Sequence, residues 1–142
     1  MMGEAGFVLD ASVTLSWAFR EELNEYTRSV LRALRDGKAS VPSIWPLEVG
    51  NALLVAERRE RLKHAEVMQF LTFLRELPVT VEREFPDRVF GEVLALAREQ
   101  GLSVYDAAYL DLAMRLGLPL ATQGKALREA AARCGVEIFG KR

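Results

Sequence analysis

The chain has 142 residues, 50% apolar and 27% charged, with a formal charge of −1, which is enough chain for one hydrophobic core without disulfides or structural metals. We therefore read residues 1–142 as a single domain, and the near-neutral charge excludes a broadly basic nucleic-acid binder. No window approaches the roughly 20 uninterrupted apolar residues of a membrane span; the lone cysteine, Cys134, excludes an internal disulfide, and the start MMGEAGFVLD lacks a secretory leader, so a soluble protein of a reducing, cytoplasmic compartment is expected.

FVLD, residues 7–10, is a short buried-strand run ending in an acid, and ASVTLSWAF has helical spacing, so strand is predicted to give way to helix at Asp10. ELNEYTRSVLRALRDG carries apolar residues at Leu23, Tyr26, Val30, Leu31 and Leu34 and stops at Asp36-Gly37, an amphipathic helix with a glycine terminator. KASVPS is a second strand. Pro46 suits the first turn of the helix opened by IWPLEVGNALLVAERRERL. HAEVMQFLTFLREL is a further helix, PVTVE a third strand, and FPDRVFGEVLALAREQG a helix closed by Gly101. LSVYDAAYLDLA begins the next helix, closed by Gly117; LPLAT is a fourth strand, KALREAAARCG the last helix and VEIF a closing strand. Strands that alternate with one or two helices imply an α/β protein with a mostly parallel sheet covered on both faces. Such sheets bind ligands at the carboxyl ends of strands where the strand order switches, and Asp10 and Thr122 fall at strand ends.

Three acids stand in apolar surroundings: Asp10 in FVLDAS, Glu48 in IWPLEVGNALL and Asp106 in LSVYDAAYLDLA. An unpaired carboxylate in a dry interior costs several kcal/mol, so such groups are normally paired, hydrogen-bonded or metal-bound. Each has a bland alternative. Asp10 can N-cap the following helix, Ser103 and Asp106 fit the S-x-x-D form of a capping box, and Glu48 can point into solvent from an early helical turn, where the macrodipole favours acids. Together they can instead converge around one hole if their helices start on the same edge of the sheet. Converging carboxylates repel unless a cation binds, and an oxygen-only ligand set points to Mg²⁺ or Mn²⁺ rather than zinc. The single histidine, His64, lacks the partners a zinc site or a Ser-His-Asp triad requires, and no P-loop or dinucleotide fingerprint is present. A carboxylate-held cation suits phosphodiester hydrolysis. That reading requires the carboxylates of Asp10, Glu48 and Asp106 to lie within one metal-sized cluster.

FVLDAS, PLEVGNALL, LSVYDAAYLDLA and LPLAT, in this order and at these intervals, resemble the PIN-domain ribonucleases, in particular the VapC-type toxins of bacterial and archaeal toxin–antitoxin modules. The resemblance spans nearly the whole chain. It implies a three-layer α/β/α sandwich and a Mg²⁺- or Mn²⁺-dependent endoribonuclease with Asp10, Glu48 and Asp106 as catalytic metal ligands. It gives supporting places to Ser12, Asn51 and Thr122, and it implies an RNA substrate, a VapB-like antitoxin partner and a homodimer. One departure stands out: VapC-type sequences usually read T-x-D after the fourth strand, and this chain reads Thr122, Gln123, Gly124. The fourth acid is absent there. Asp111 is no evident substitute, because at roughly 100° per residue it lies about 140° around the helix from Asp106, and a structural or surface role is expected for it.

The missing acid leaves open a second reading, a PIN-fold binding or regulatory module with weakened or lost catalysis. A phosphoryl-accepting receiver domain fits less well, because it needs paired acids after the first strand and Asp10 stands alone. Leu15, Trp17, Phe19 and Trp45 can serve partner contacts or the core, the latter being the more frequent use. The mixed-charge run from Glu57 to Lys63 can meet RNA phosphates, but it more often marks a solvated helix end.

Overall fold

The computed structural model describes residues 6–140; residues 1–5, which open the segment read as lacking a leader, lie outside them. Four strands, β1 (Gly6–Leu9), β2 (Lys38–Pro42), β3 (Val79–Glu82) and β4 (Leu120–Ala121), form one parallel sheet in the order β3-β2-β1-β4. Phe7 lies opposite Ala39, and Val8 opposite both Ser40 and Leu120. Phe7, Val8 and Leu9 have no exposed surface, which requires cover on both faces of the central strand. That cover comes from α1 (Ala11–Ser16), α2 (Glu25–Ala33), α3 (Ile44–Arg58), α4 (His64–Arg75), α5 (Pro86–Arg88), α6 (Leu94–Gln100), α7 (Val104–Leu116) and α8 (Lys125–Arg133). The arrangement is a three-layer α/β/α sandwich. From β1 the chain moves outward to β2 and β3, then returns to β4 on the other side of β1, so the strand order switches between β1 and β4. The crevice beyond their carboxyl ends is where such a sheet binds ligands.

The predicted elements are all present except the last strand, though several are shorter than their sequence runs. The first helix ends at Ser16; a 3₁₀ turn at Arg20–Glu22 follows, and α2 starts one residue past Asn24, whose side chain accepts from Thr27 N–H in a reciprocal capping box. The helix expected over residues 85–101 holds a π turn at Val89–Val93, which includes Gly91, a weak helix former. VEIF does not form a strand. Only Ile138 bridges to Leu120, although Leu120 N–H donates to Glu137 O and Phe139 N–H to Leu120 O, both at 2.9 Å. β4 is too short to template more, and the Phe139 ring stacks on Phe7 with centroids 4.1 Å apart.

Glu60, just past the end of α3, has a positive φ of 62°, a left-handed conformation that costs a non-glycine residue about 1 kcal/mol. Glu60→Gly is therefore expected to raise the melting temperature by roughly 3 °C, measured by thermal unfolding.

Candidate active site

Asp10 follows β1 and is the N-cap residue of α1 by backbone geometry, yet its side chain makes no capping hydrogen bond. Its Oδ2 instead accepts from Ser12 Oγ at 2.8 Å and from Thr122 Oγ1 at 2.6 Å. Thr122, fully buried just after β4, also accepts from Gly124 N–H at 3.1 Å. Two neighbouring strand ends are thus joined through one carboxylate oxygen. From α3, Trp45 Nε1 donates to Thr14 Oγ1 at 3.1 Å, and Thr14 in turn donates to the backbone oxygen of Asp10 at 3.3 Å. The third helix is thereby tied to the same strand end.

Glu48 is the fifth residue of α3, beyond the first turn, and it is half-buried rather than turned out to water. Its Oε1 accepts from Tyr109 OH at 2.6 Å. Asp106, in the first turn of α7, donates its backbone N–H to Ser103 Oγ at 3.0 Å. Ser103 therefore caps the helix, but the reciprocal half of a capping box, from the Asp106 carboxylate, is not formed. None of the three acids spends its carboxylate on capping a helix.

Burial pushes the Glu48 carboxyl above the usual range; the Tyr109 hydrogen bond opposes that shift, and the charges of Asp10 and Asp106 add to it. Burial, then the Asp10 charge, pushes Asp106 up as well. The three acids thus lie within range of one another's charge. Among the described residues no Lys or Arg ion-pairs with any of them, and no three His, Cys, Asp or Glu side chains close into a ready-made ion-holding group. The three acids are therefore coupled by charge, but a metal-sized cluster of their carboxylates is not formed among the described residues.

The donor chemistry nonetheless suits a hard divalent cation: carboxylate oxygens, those of Asp10 and Glu48 steadied by neutral hydroxyls, with no Lys or Arg ion-paired to them among the described residues. The repulsion has a consequence for stability. An acid whose folded pKa is raised carries no penalty below its ordinary pKa; the penalty grows as pH rises through the raised folded value and is complete above it. In metal-free protein Glu48→Gln is expected to raise the melting temperature at pH 7.5, with the gain shrinking at about pH 4.5, near the unperturbed glutamate range. Thermal scans at the two pH values check this.

Among the described residues, the remaining sequence candidates make no side-chain hydrogen bond or ion pair with the three acids. Asn51, one turn beyond Glu48, is exposed and has no side-chain hydrogen bond among the described residues. Asp111 is 5% exposed and faces away into an ion-pair network: Arg88 reaches it through Nε (3.0 Å) and Nη2 (2.8 Å), and Arg115 through Nε (3.0 Å). Phe19 is buried, Trp45 belongs to the core cluster, Leu15 and Trp17 pack against that cluster, and Trp17 Nε1 donates to Thr27 O. In the charged run, Arg61 ion-pairs with Glu21 and Glu22 and lies over the Phe19 ring. His64 is an exposed neighbour of Glu57. Tyr109 was missed by sequence reasoning. Its signal was available, because it lies three residues after Asp106 and so on nearly the same helical face.

A model of the PIN domain matches residues 7–133, a span that includes all three acids and Thr122. The chain belongs to the PIN-domain family. This PIN domain is 30% identical over 122 residues to "Ribonuclease VapC3" of Pyrobaculum aerophilum, covering 86% of this chain and 92% of that protein. Its fold is similar to the crystal structure of PAE2754 from Pyrobaculum aerophilum, with a TM-score of 0.64 and 25% identity, over 90% of this chain and 87% of that one. No helix among the described residues of the PIN domain is long and apolar enough to cross a membrane.

Proposed function

We propose that this PIN domain is a Mg²⁺- or Mn²⁺-dependent endoribonuclease, with Asp10, Glu48 and Asp106 as the metal ligands. The observation that supports the reading is Asp10 at the strand-order switch, held by Ser12 and Thr122 hydroxyls, with Glu48, held by the Tyr109 hydroxyl, and Asp106 coupled to it by charge. When bound, a hard divalent cation supplies neutralisation of the phosphodiester and acidification of the attacking water. The chain's own residues do the orienting. Ser12 and Thr122 hold Oδ2 of Asp10, and Tyr109 holds Oε1 of Glu48, which leaves the opposite oxygen of each carboxylate for the reaction centre. Incubation with a mixed RNA pool, with and without chelator and with the fragment ends mapped, tests the reading. Cleavage that depends on Mg²⁺ or Mn²⁺ is expected; intact RNA under every metal condition overturns it.

The relative named "Ribonuclease VapC3" supports a toxin role in a VapBC-type pair, with a VapB-like antitoxin as partner; a homodimer is part of the same proposal. Leu47, Phe85, Phe90 and Tyr105 are 58–79% exposed, and Leu47 and Tyr105 line a cavity of about 210 Å³ beside α3 and α7. Exposed apolar clusters of this kind commonly mark protein–protein surfaces. A cytoplasmic location goes with that role.

A second reading, a PIN-fold binding module with weakened catalysis, is favoured by the open arrangement of the acids and by Gly124. Gly124 is the N-cap residue of α8 and offers no side chain there. Its backbone is ordinary (φ −66°, ψ 125°), and an added Cβ would meet only Thr122 Oγ1 at 3.6 Å and Leu127 Cβ at 3.8 Å. Aspartate therefore fits at 124. Gly124→Asp is expected to strengthen Mn²⁺ binding or cleavage and to cap α8, adding a few tenths of a kcal/mol. Calorimetric titration and the RNA assay measure it, and no change in either removes the fourth-acid argument.

A further inference from the structure

We propose that Tyr109 is a positioning residue for Glu48: its buried hydroxyl fixes one carboxylate oxygen so that the other is presented to a divalent cation. The inference rests on the metal-dependent reading above. Tyr109 has no exposed surface, and its OH donates to Glu48 Oε1 at 2.6 Å. A buried tyrosine hydroxyl needs an acceptor, but any backbone carbonyl would satisfy it. The acceptor here is instead an acid on a different helix.

The geometry gives that choice a purpose. Asp106 and Tyr109 are three residues apart on α7, so one helical face supplies both an acid of the site and the hydroxyl that aims a second acid. Asp10 is treated in the same way, with Oδ2 held by Ser12 and Thr122. In both places the donor is a neutral hydroxyl. A Lys or Arg would orient the carboxylate equally well but would also neutralise it, competing with the cation; a hydroxyl fixes the direction and leaves the charge intact. Outer-shell partners of this sort typically change metal affinity about 10–100-fold when removed.

The test uses the full-length chain with Mn²⁺ alone as the probe. Tyr109→Phe keeps the buried ring and removes only the hydroxyl, so the fold is retained; a metal-free melting curve checks this. Calorimetry in the absence of RNA is expected to show Mn²⁺ binding about 10-fold weaker than in the parent protein. In a Glu48→Gln background, followed to millimolar Mn²⁺ by electron paramagnetic resonance, the same substitution is expected to change affinity by less than about twofold, since the group it aims is gone. Unchanged or tighter binding in Tyr109→Phe overturns the proposal, as does an equal loss in both backgrounds, which would mark a packing role. If the parent protein takes up Mn²⁺ and Tyr109→Phe matches it, only this inference fails. If the parent takes up none, the metal-dependent reading fails and this inference goes with it.

Discussion

If Asp10 is a metal ligand as proposed, Asp10→Asn is expected to lower RNA cleavage by about 100-fold or more while the protein stays folded, because loss of a ligand is at least as severe as the loss of an outer-shell partner. The amide retains an oxygen that can accept from Ser12 and Thr122, so the bridge between the ends of β1 and β4 can persist. The negative charge does not. Asp10 contributes to the upward shifts of both Glu48 and Asp106, so the variant should also melt at or above the parent temperature in metal-free buffer at neutral pH. Single-turnover cleavage and thermal unfolding, run side by side, separate the two effects. Full activity in Asp10→Asn would remove the acid cluster from the reaction.

Asp111→Ala is expected to have the opposite profile, a large loss of stability with metal binding preserved. Its carboxylate is 5% exposed and takes three hydrogen bonds from Arg88 and Arg115. Removing the acid leaves two partly buried guanidiniums with only their longer contacts, Arg88 to Glu92 at 3.9 Å and Arg115 to Glu84 at 4.0 Å. Breaking a fully buried pair costs about 3–5 kcal/mol, and because both arginines keep some solvent contact we expect about 2–3 kcal/mol, or roughly 6–10 °C in melting temperature. Burial alone would raise the Asp111 carboxyl, but the two arginines outweigh it and hold the carboxyl below the usual range. Its stabilisation is therefore complete above about pH 4 and is lost as pH falls through the depressed folded value. Denaturation curves at pH 7 should show the loss, and calorimetry should show Mn²⁺ affinity within about twofold of the parent. A parallel fall in affinity would place Asp111 in the site.

Much of this was legible residue by residue. FVLD announced both a strand covered on two faces and an acid at its carboxyl end, because an apolar run that short and that unbroken fits a central parallel strand. Gly101 and Gly117 marked helix ends, and both adopt the left-handed conformation there. The 100° step of a helix by itself separates Asp111 from Asp106. One of its partners, Arg115, is four residues on and within the local i, i+4 rule, but the other, Arg88, is 23 positions away in sequence, and no local rule pairs such residues. VEIF misled for a related reason. Its composition suits a strand, but strand formation needs a neighbour of matching length, and β4 offers two residues.

By itself the sequence determined the alternation of strands and helices, the likeness to PIN domains and the presence of acids where apolar packing should prevail, since these depend on local periodicity and on the cost of burying charge. The tertiary structure alone decided what each carboxylate touches. Ser103 could have capped α7 with or without help from the Asp106 side chain, and Asp10 could have capped α1. The fold instead sends Thr122 from β4 to Asp10 and Tyr109 from α7 to Glu48. Both contacts join residues more than 60 positions apart, and only the packing of helices onto a completed sheet sets such distances.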